Sequence, residues 1–317
     1  MATYTNIQGQ NILIVSSDPA NPTEGQMWYN TTSNSLKGYA EVGAWATGGN
    51  LTNSRRELGG AGTQTSALAI AGTTPDTNVT EEYDGTSWTG GGNYPISTRQ
   101  VQSCGTQTVA LAAGGYGPGA TGQVTTREYD GPSWAAGGNL PTGRFSGMAA
   151  GTQTSALVAA GEINTPAAVT GTSLEYDGTS WTSGGTMGTA RRDLAGAGTQ
   201  TVALAFGAGT PGNATEEYDG TSWTSGGNLV TARNELAGCG TQTLAAAFGG
   251  SPRTAATELY DGTSWTVGGN LGTARNFLAG AGTQTSALAF GGNPGAGVTN
   301  ATEEFTGGNA TITLTTS

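Results

Sequence analysis

The stretch Leu194-Ala-Gly-Ala-Gly-Thr-Gln-Thr-Val-Ala-Leu-Ala-Phe206, followed by Tyr218-Asp-Gly-Thr-Ser-Trp223, decides how this 317-residue chain is read. Val202-Ala-Leu-Ala-Phe206 alternates large and small residues with period two, the mark of a strand whose two faces meet different neighbours. Leu194-Ala-Gly-Ala197 is almost wholly small and suits a crowded inner strand. Asp219-Gly220 is a hairpin signal, because glycine tolerates the positive φ of a tight turn. The segment predicts four antiparallel strands in the order arginine strand, Ala-Leu-Ala-Phe strand, Glu-Tyr strand and Trp strand.

The pattern recurs. Gly-Thr-Gln-Thr begins at Gly62, Gly105, Gly151, Gly198, Gly240 and Gly282, each preceded at a similar offset by Arg55, Arg99, Arg144, Arg191, Arg233 or Arg275. Five copies are followed by Tyr-Asp-Gly-x-Ser-Trp, ending at Trp88, Trp134, Trp181, Trp223 and Trp265, at spacings of 42 to 47 residues. Short strands at such a period are the sequence signature of propeller blades. The distance from a Trp to the next Gly-Thr-Gln-Thr is always 17 residues, and Trp45 obeys it although its own unit lacks the first two strands. The sixth unit has no Trp after Phe305, so Trp45 can supply its outer strand and close a six-bladed ring. Both Ser35-Leu-Lys-Gly-Tyr39 and Ala301-Thr-Glu-Glu-Phe305 fit as the third strand of that blade. The expected fold is therefore all-β, a six-bladed propeller of four-stranded antiparallel blades closed by an N-terminal strand. Its expected division is an arm over 1–35, a propeller over 36–305, and a tail or extra strand over 306–317.

The combination of arginine, Gly-Gly after strand two, and a Tyr and Trp flanking a turn resembles the kelch repeat over about residues 36–305. The doublet is eroded at Ala71-Gly72, Ala160-Gly161 and Gly207-Ala208. Kelch-type propellers include a copper oxidase lineage, but its imidazole ligands cannot exist in a chain without histidine.

Composition narrows the function. Only 10% of residues are charged, the formal charge is −11, and Lys37 is the sole lysine. Nucleic acid and anionic membranes need clustered Lys and Arg, so neither is expected as a partner. No apolar run approaches the length of a membrane helix, and the first residues lack a signal peptide's basic and apolar regions. The absence of histidine removes imidazole metal sites and Ser-His-Asp catalysis. No catalytic residue, metal or cofactor is expected. Cys104 and Cys239 precede Gly-Thr-Gln-Thr in units two and five and are expected as free thiols. The Glu-Glu-Tyr-Asp sets read as solvated carboxylates and turn caps, and the six arginines as braces between neighbouring strands or blades.

Variation in length is confined to the connection between strands two and three, and variable loops on a fixed scaffold are where recognition resides. Candidate binding residues on that face are Tyr116, Glu162, Asn164, Pro211, Arg253 and Asn293. The N-terminal stretch Pro22-Thr-Glu-Gly-Gln-Met-Trp-Tyr-Asn-Thr-Thr-Ser-Asn-Ser-Leu-Lys-Gly-Tyr39 resembles a segment near the start of tail-fibre and related appendage proteins of tailed bacteriophages. That resemblance implies a virion component made in the host cytoplasm, part of a multi-subunit assembly, attached to other virion proteins through residues 1–35. The propeller would then contact a host-surface glycan or protein. A passive capsid or tail decoration and a surface-polysaccharide hydrolase are the alternatives.

Overall fold

The computed structural model describes residues 12–20, 26–41, 43–117, 119–164, 167–209, 212–307 and 309–313. Among the described residues there are strands and turns but no helix. Contacts divide the chain into two units, Met1–Gly43 with Gly307–Ser317, and Ala44–Thr306.

The larger unit holds six four-stranded antiparallel sheets, one for each Gly-Thr-Gln-Thr, an all-β arrangement consistent with a β-propeller. In the fourth repeat, Ala195–Gly198, Ala203–Ala208, Gly212–Tyr218 and Trp223–Ser225 lie side by side in chain order. Ala203–Ala208 is buried throughout, because Ala203 and Ala205 pack toward the third repeat while Leu204 and Phe206 pack toward the fifth. Phe206 reaches Gly238 on the inner strand of the fifth repeat, where a Cβ would stand 2.3 Å from the ring. Large residues on one sheet thus fit small ones on the next, as close packing requires. Val202, which the alternation places in the strand, instead stands 47% exposed in the preceding turn. Its carbonyl accepts from the Thr199 amide at 2.8 Å.

The repeated side chains tie each sheet to the preceding one. Gln200 Nε2 donates to the carbonyls of Ala156 and Tyr176 at 3.1 and 2.7 Å. Trp223 Nε1 donates to Ser173 Oγ at 2.9 Å, and the Tyr218 hydroxyl to Glu175 Oε1 at 2.5 Å. The same three links join the first repeat to the sixth: Gln64 to the Ala287 and Phe305 carbonyls, Trp88 to Thr302, and Tyr83 to Glu304. Between the fifth and sixth repeats Leu259 and Phe305 stand where the others have Glu and Tyr, and pack in one apolar cluster. Acceptor and hydroxyl are lost together. Cys104 and Cys239 are free and buried, and burial pushes both thiols up to about 12.

Two expectations about charged residues need correction. Arg55, Arg144, Arg191, Arg233 and Arg275 are buried and brace neighbouring strands as expected, but these are strands of their own sheet, and the carboxylates they meet are not those of an adjacent one. Arg191 donates to the carbonyls of Ala205, Gly207 and Ala214 and pairs with Glu216 at 3.2 Å. Glu81, Glu216, Glu258 and Glu303 are accordingly buried ion-pair partners, not solvated carboxylates. The aspartates do cap turns: Asp219 Oδ1 accepts from the amides of Thr221 and Ser222 at 2.8 and 2.7 Å. Arg99 does not belong to the buried set. It lies six residues before its Gly-Thr-Gln-Thr where the others lie seven before theirs, and Thr98 holds the buried place.

The smaller unit accounts for a different boundary. Ser35–Glu41 pairs with Met27–Asn30 and with Asn309–Thr313, so the division falls after Gly43 rather than after residue 35. The C-terminal strand therefore belongs to this N-terminal sheet. The third-strand place in the sixth repeat goes to Thr302–Thr306, which pairs with Ala44–Thr47 and sets Phe305 opposite Trp45. Within the small sheet Leu13–Val15 runs parallel to Met27–Asn30. Asp18 accepts from Trp28 Nε1, Asn30 Nδ2 and Lys37 Nζ at 3.0, 2.7 and 2.7 Å. The bonds from Lys37, Trp28 and Asn30 lower the Asp18 pKa to about 2.

Candidate functional site

Ahead of each inner strand one residue adopts a left-handed conformation: Glu57, Gln100, Ser146, Asp193, Glu235 and Phe277, with φ between 54° and 59°. None is glycine, so each carries backbone strain of about 1 kcal/mol or more that the surroundings must hold in place. What holds them is a cycle of backbone hydrogen bonds. The Gln100 amide donates to Glu57, Ser146 to Gln100, Asp193 to Ser146, Glu235 to Asp193, Phe277 to Glu235, and Glu57 to Phe277, at 2.7 to 3.3 Å.

In five of the six repeats, the fourth excepted among the described residues, the residue before the left-handed position bridges to the chain leaving strand two. Arg56 pairs with Thr73, Arg99 with Tyr116, Phe145 with Glu162, and Asn276 with Asn293. The strand two–three connections thus stand beside this cycle. In the second and third repeats they are not loose loops. Tyr116–Gly117 pairs with Thr121–Gly122, and Arg144–Phe145, Glu162–Asn164 and Ala167–Val169 form a separate three-stranded sheet.

Between repeats one to four these elements enclose a polar cleft of about 440 Å³, lined by Arg56, Arg99, Arg192, Tyr116, Phe145 and Glu162 among others. The Arg99 guanidinium lies 4.6 Å over the Tyr116 ring and pairs with Glu57 and Asp76 at 3.0 and 2.8 Å. Phe145 meets Tyr116 edge-on at 4.9 Å. Arg192 pairs with Glu162 and, at 3.6 Å, with Asp193. The bond to Glu162 raises the Arg192 pKa, so that charge is fixed. Burial raises Glu57 although Arg56 and Arg99 act against it, and burial raises Asp193 and Glu235. The cleft offers planar charged donors, carboxylate acceptors and one aromatic hydroxyl on a rigid frame. Among the described residues no group of three or more Cys, Asp or Glu is placed to hold a metal ion.

The sequence candidates distribute as follows. Tyr116 and Glu162 line the cleft, and Asn164 lies at the other end of the Glu162–Asn164 strand. Arg253 and Asn293 meet elsewhere, the Arg253 Nε donating to the Asn293 carbonyl at 3.1 Å. Pro211 lies outside the described residues. Arg56, Arg99 and Arg192 were not among the candidates. The signal was present as doublets: in Arg55-Arg56 and Arg191-Arg192 the first arginine is buried in its sheet and the second turns to the cleft.

No protein-family model matches this chain, and no curated protein matches it. Among solved structures it is similar to one titled "Structure of YjhT", with a TM-score of 0.68 and 13% sequence identity, over 84% of this chain and 100% of that one. At that identity the similarity is one of fold.

Proposed function

We propose that Ala44–Thr306 is a six-bladed propeller closed by its own first strand, and that the protein is a non-enzymatic tailed-phage appendage component that recognises the host surface. The cyclic hydrogen bonds among the left-handed residues and the Trp45–Phe305 pairing support closure. The Trp28-Tyr-Asn30 and Leu36-Lys37 segment supports the virion assignment through its resemblance to appendage proteins. The observation that carries recognition is where the repeats stop being alike. Repeats two and three have the longest strand two–three connections, lack the Arg–Glu pair of the others, and place Arg99, Tyr116, Phe145 and Glu162 in one cleft. A scaffold built from near-identical units departs from its own pattern most at its cleft, as expected of a recognition surface.

A surface-polysaccharide hydrolase is the second reading, favoured by Glu57 and Glu162 sharing that cleft. Both carboxylates are held in ion pairs, Glu57 by Arg56 and Arg99 and Glu162 by Arg192, so each must leave its arginine before it can reach a glycosidic oxygen. Adsorption of the purified chain to bacteria that a phage carrying it infects tests the proposal. Saturable adsorption that blocks infection is expected. Absence of adsorption together with a capsid location points to passive decoration, and release of reducing ends from host polysaccharide points to the hydrolase.

A further inference from the structure

We infer that the cleft between repeats one and four takes a saccharide bearing a carboxylate, with the Arg56 guanidinium as the principal anchor of that group. This rests on the recognition reading above and names its ligand class.

The charge distribution is the first ground. The chain has 22 acidic and 11 basic residues. Of the basic ones Lys37 lies in the smaller unit and five arginines are buried within their sheets, leaving five: Arg56, Arg99, Arg127, Arg192 and Arg253. Three of those five converge on one cleft. A strongly negative protein that gathers most of its accessible cations in one concavity offers an anionic group attraction there wherever one of them is left short of counter-charge.

The state of the three arginines is the second ground. Arg99 is stacked on Tyr116 and held by Glu57 and Asp76, and Arg192 is held by Glu162 and Asp193. Arg56 differs. It lies over the Phe277 ring at 5.7 Å and touches Glu57 through Nε at 3.4 Å, while among the described residues its terminal nitrogens have no partner. Its fork is pre-positioned with two donors open, the geometry that receives a planar carboxylate in bidentate fashion. The neighbouring carboxylates set the ligand's charge. Glu57 and Glu162 line the cleft and Asp76 and Asp193 back its arginines, so a dianionic phosphate meets twice the like-charge repulsion of a monoanion. The rest of the lining, Thr73, Gln100, Glu162 and the Tyr116 hydroxyl, supplies donors and acceptors suited to sugar hydroxyls. The volume of about 440 Å³ lies in the range of small-molecule sites.

Calorimetric titration of the full chain with three probes tests this: a hexuronate-containing tetrasaccharide, the same tetrasaccharide with its carboxyls reduced to hydroxymethyl groups, and a sulfated neutral tetrasaccharide. The hexuronate is expected to bind, with affinity falling as salt rises. Reduction of the carboxyls and the Arg56→Gln substitution are each expected to weaken it roughly tenfold or more, the scale of a lost charge-assisted hydrogen bond. Arg253→Gln, outside the cleft, is expected to leave binding unchanged, and equal melting temperatures show that both variants fold. Equal or tighter binding of the reduced or the sulfated probe overturns the carboxylate assignment, and failure of all three to bind overturns the saccharide class. If the chain still adsorbs to bacteria in either case, host-surface recognition stands and only its ligand is wrong.

Discussion

The amide of Glu57 donates to the carbonyl of Phe277 at 2.9 Å and so joins the first repeat to the sixth. The bond completes a cycle in which six left-handed residues, none of them glycine, each hold the next. Its place matters as much as its closure. The cycle frames the end of the unit where Arg56, Arg99 and Arg192 stand, so the most constrained backbone carries the most individual side chains.

The Tyr–Glu links make the first energetic prediction. Tyr260→Phe deprives Glu217 of its 2.6 Å donor and should cost about 1–3 kcal/mol in urea unfolding, the penalty for a stranded acceptor. The paired change Tyr260→Phe with Glu217→Leu should recover most of that loss, because Phe305 and Leu259 already make this combination between repeats five and six. A double variant as unstable as the single one contradicts the explanation.

The buried ion pairs make the second. Glu258 holds Arg233 at 3.1 Å, both almost fully buried. Glu258→Leu leaves a buried guanidinium without its counter-charge and should destabilise by about 3–5 kcal/mol. Replacing both partners, Arg233→Met with Glu258→Leu, should cost less than the single change. A double variant worse than the single one argues against the pairing as the cause.

Trp223 packs against Tyr218 at 4.9 Å with its indole nitrogen bonded to Ser173. Trp223→Ala opens a cavity between the third and fourth repeats and should cost about 3–5 kcal/mol. An unchanged melting temperature contradicts the core assignment.

The carboxylates beside the cycle predict a pH effect of defined sign. Burial, with a smaller contribution from the charge on Asp193, raises the pKa of Glu235 above its unfolded value. A raised acid binds more protons folded than unfolded, so its ionisation costs stability above the folded pKa, and that cost fades as pH falls below it. Glu235→Gln keeps an acceptor for Asn276 Nδ2, which lies 2.6 Å from Glu235 Oε2. It should raise stability at pH 7 by less than about 1 kcal/mol, given the partial exposure of the group, and by still less at pH 4. Thermal scans at the two pH values measure the difference, and a larger gain at pH 4 contradicts the sign.

Much of the fold was legible because the repeat repeats its chemistry. The constant spacing from Trp45 to Gly62 foretold that the Trp45 strand, Ala44–Thr47, is the outer strand of the sixth repeat's sheet. Whether Tyr39 or Phe305 completed that sheet was not legible, since the choice turns on Asn309–Thr313, a distant strand that captures Ser35–Glu41. The role of Glu216 escaped for a related reason. Strand alternation placed Glu216 and Glu217 on opposite faces, but that Glu216 would meet the buried Arg191 of its own sheet while Glu217 accepts from Tyr260 of the next depended on tertiary packing. Of the cleft, Tyr116 and Glu162 were visible as unusual loop residues, whereas Arg56 and Arg192 were hidden beside arginines with a structural role. A shift of one residue in the offset of Arg99 was the clue that two arginine positions exist.

Hydrogen exchange on the full chain, free and in the presence of purified surface polysaccharide from bacteria to which it adsorbs, tests the recognition account most directly. The account predicts slowed exchange at Arg56–Glu57, Arg99–Gln100, Tyr116–Gly117 and Glu162–Asn164, the segments around the cleft. Protection confined to the Gly-Thr-Gln-Thr turns at the opposite ends of the strands, or no protection with the polysaccharide bound, would contradict it.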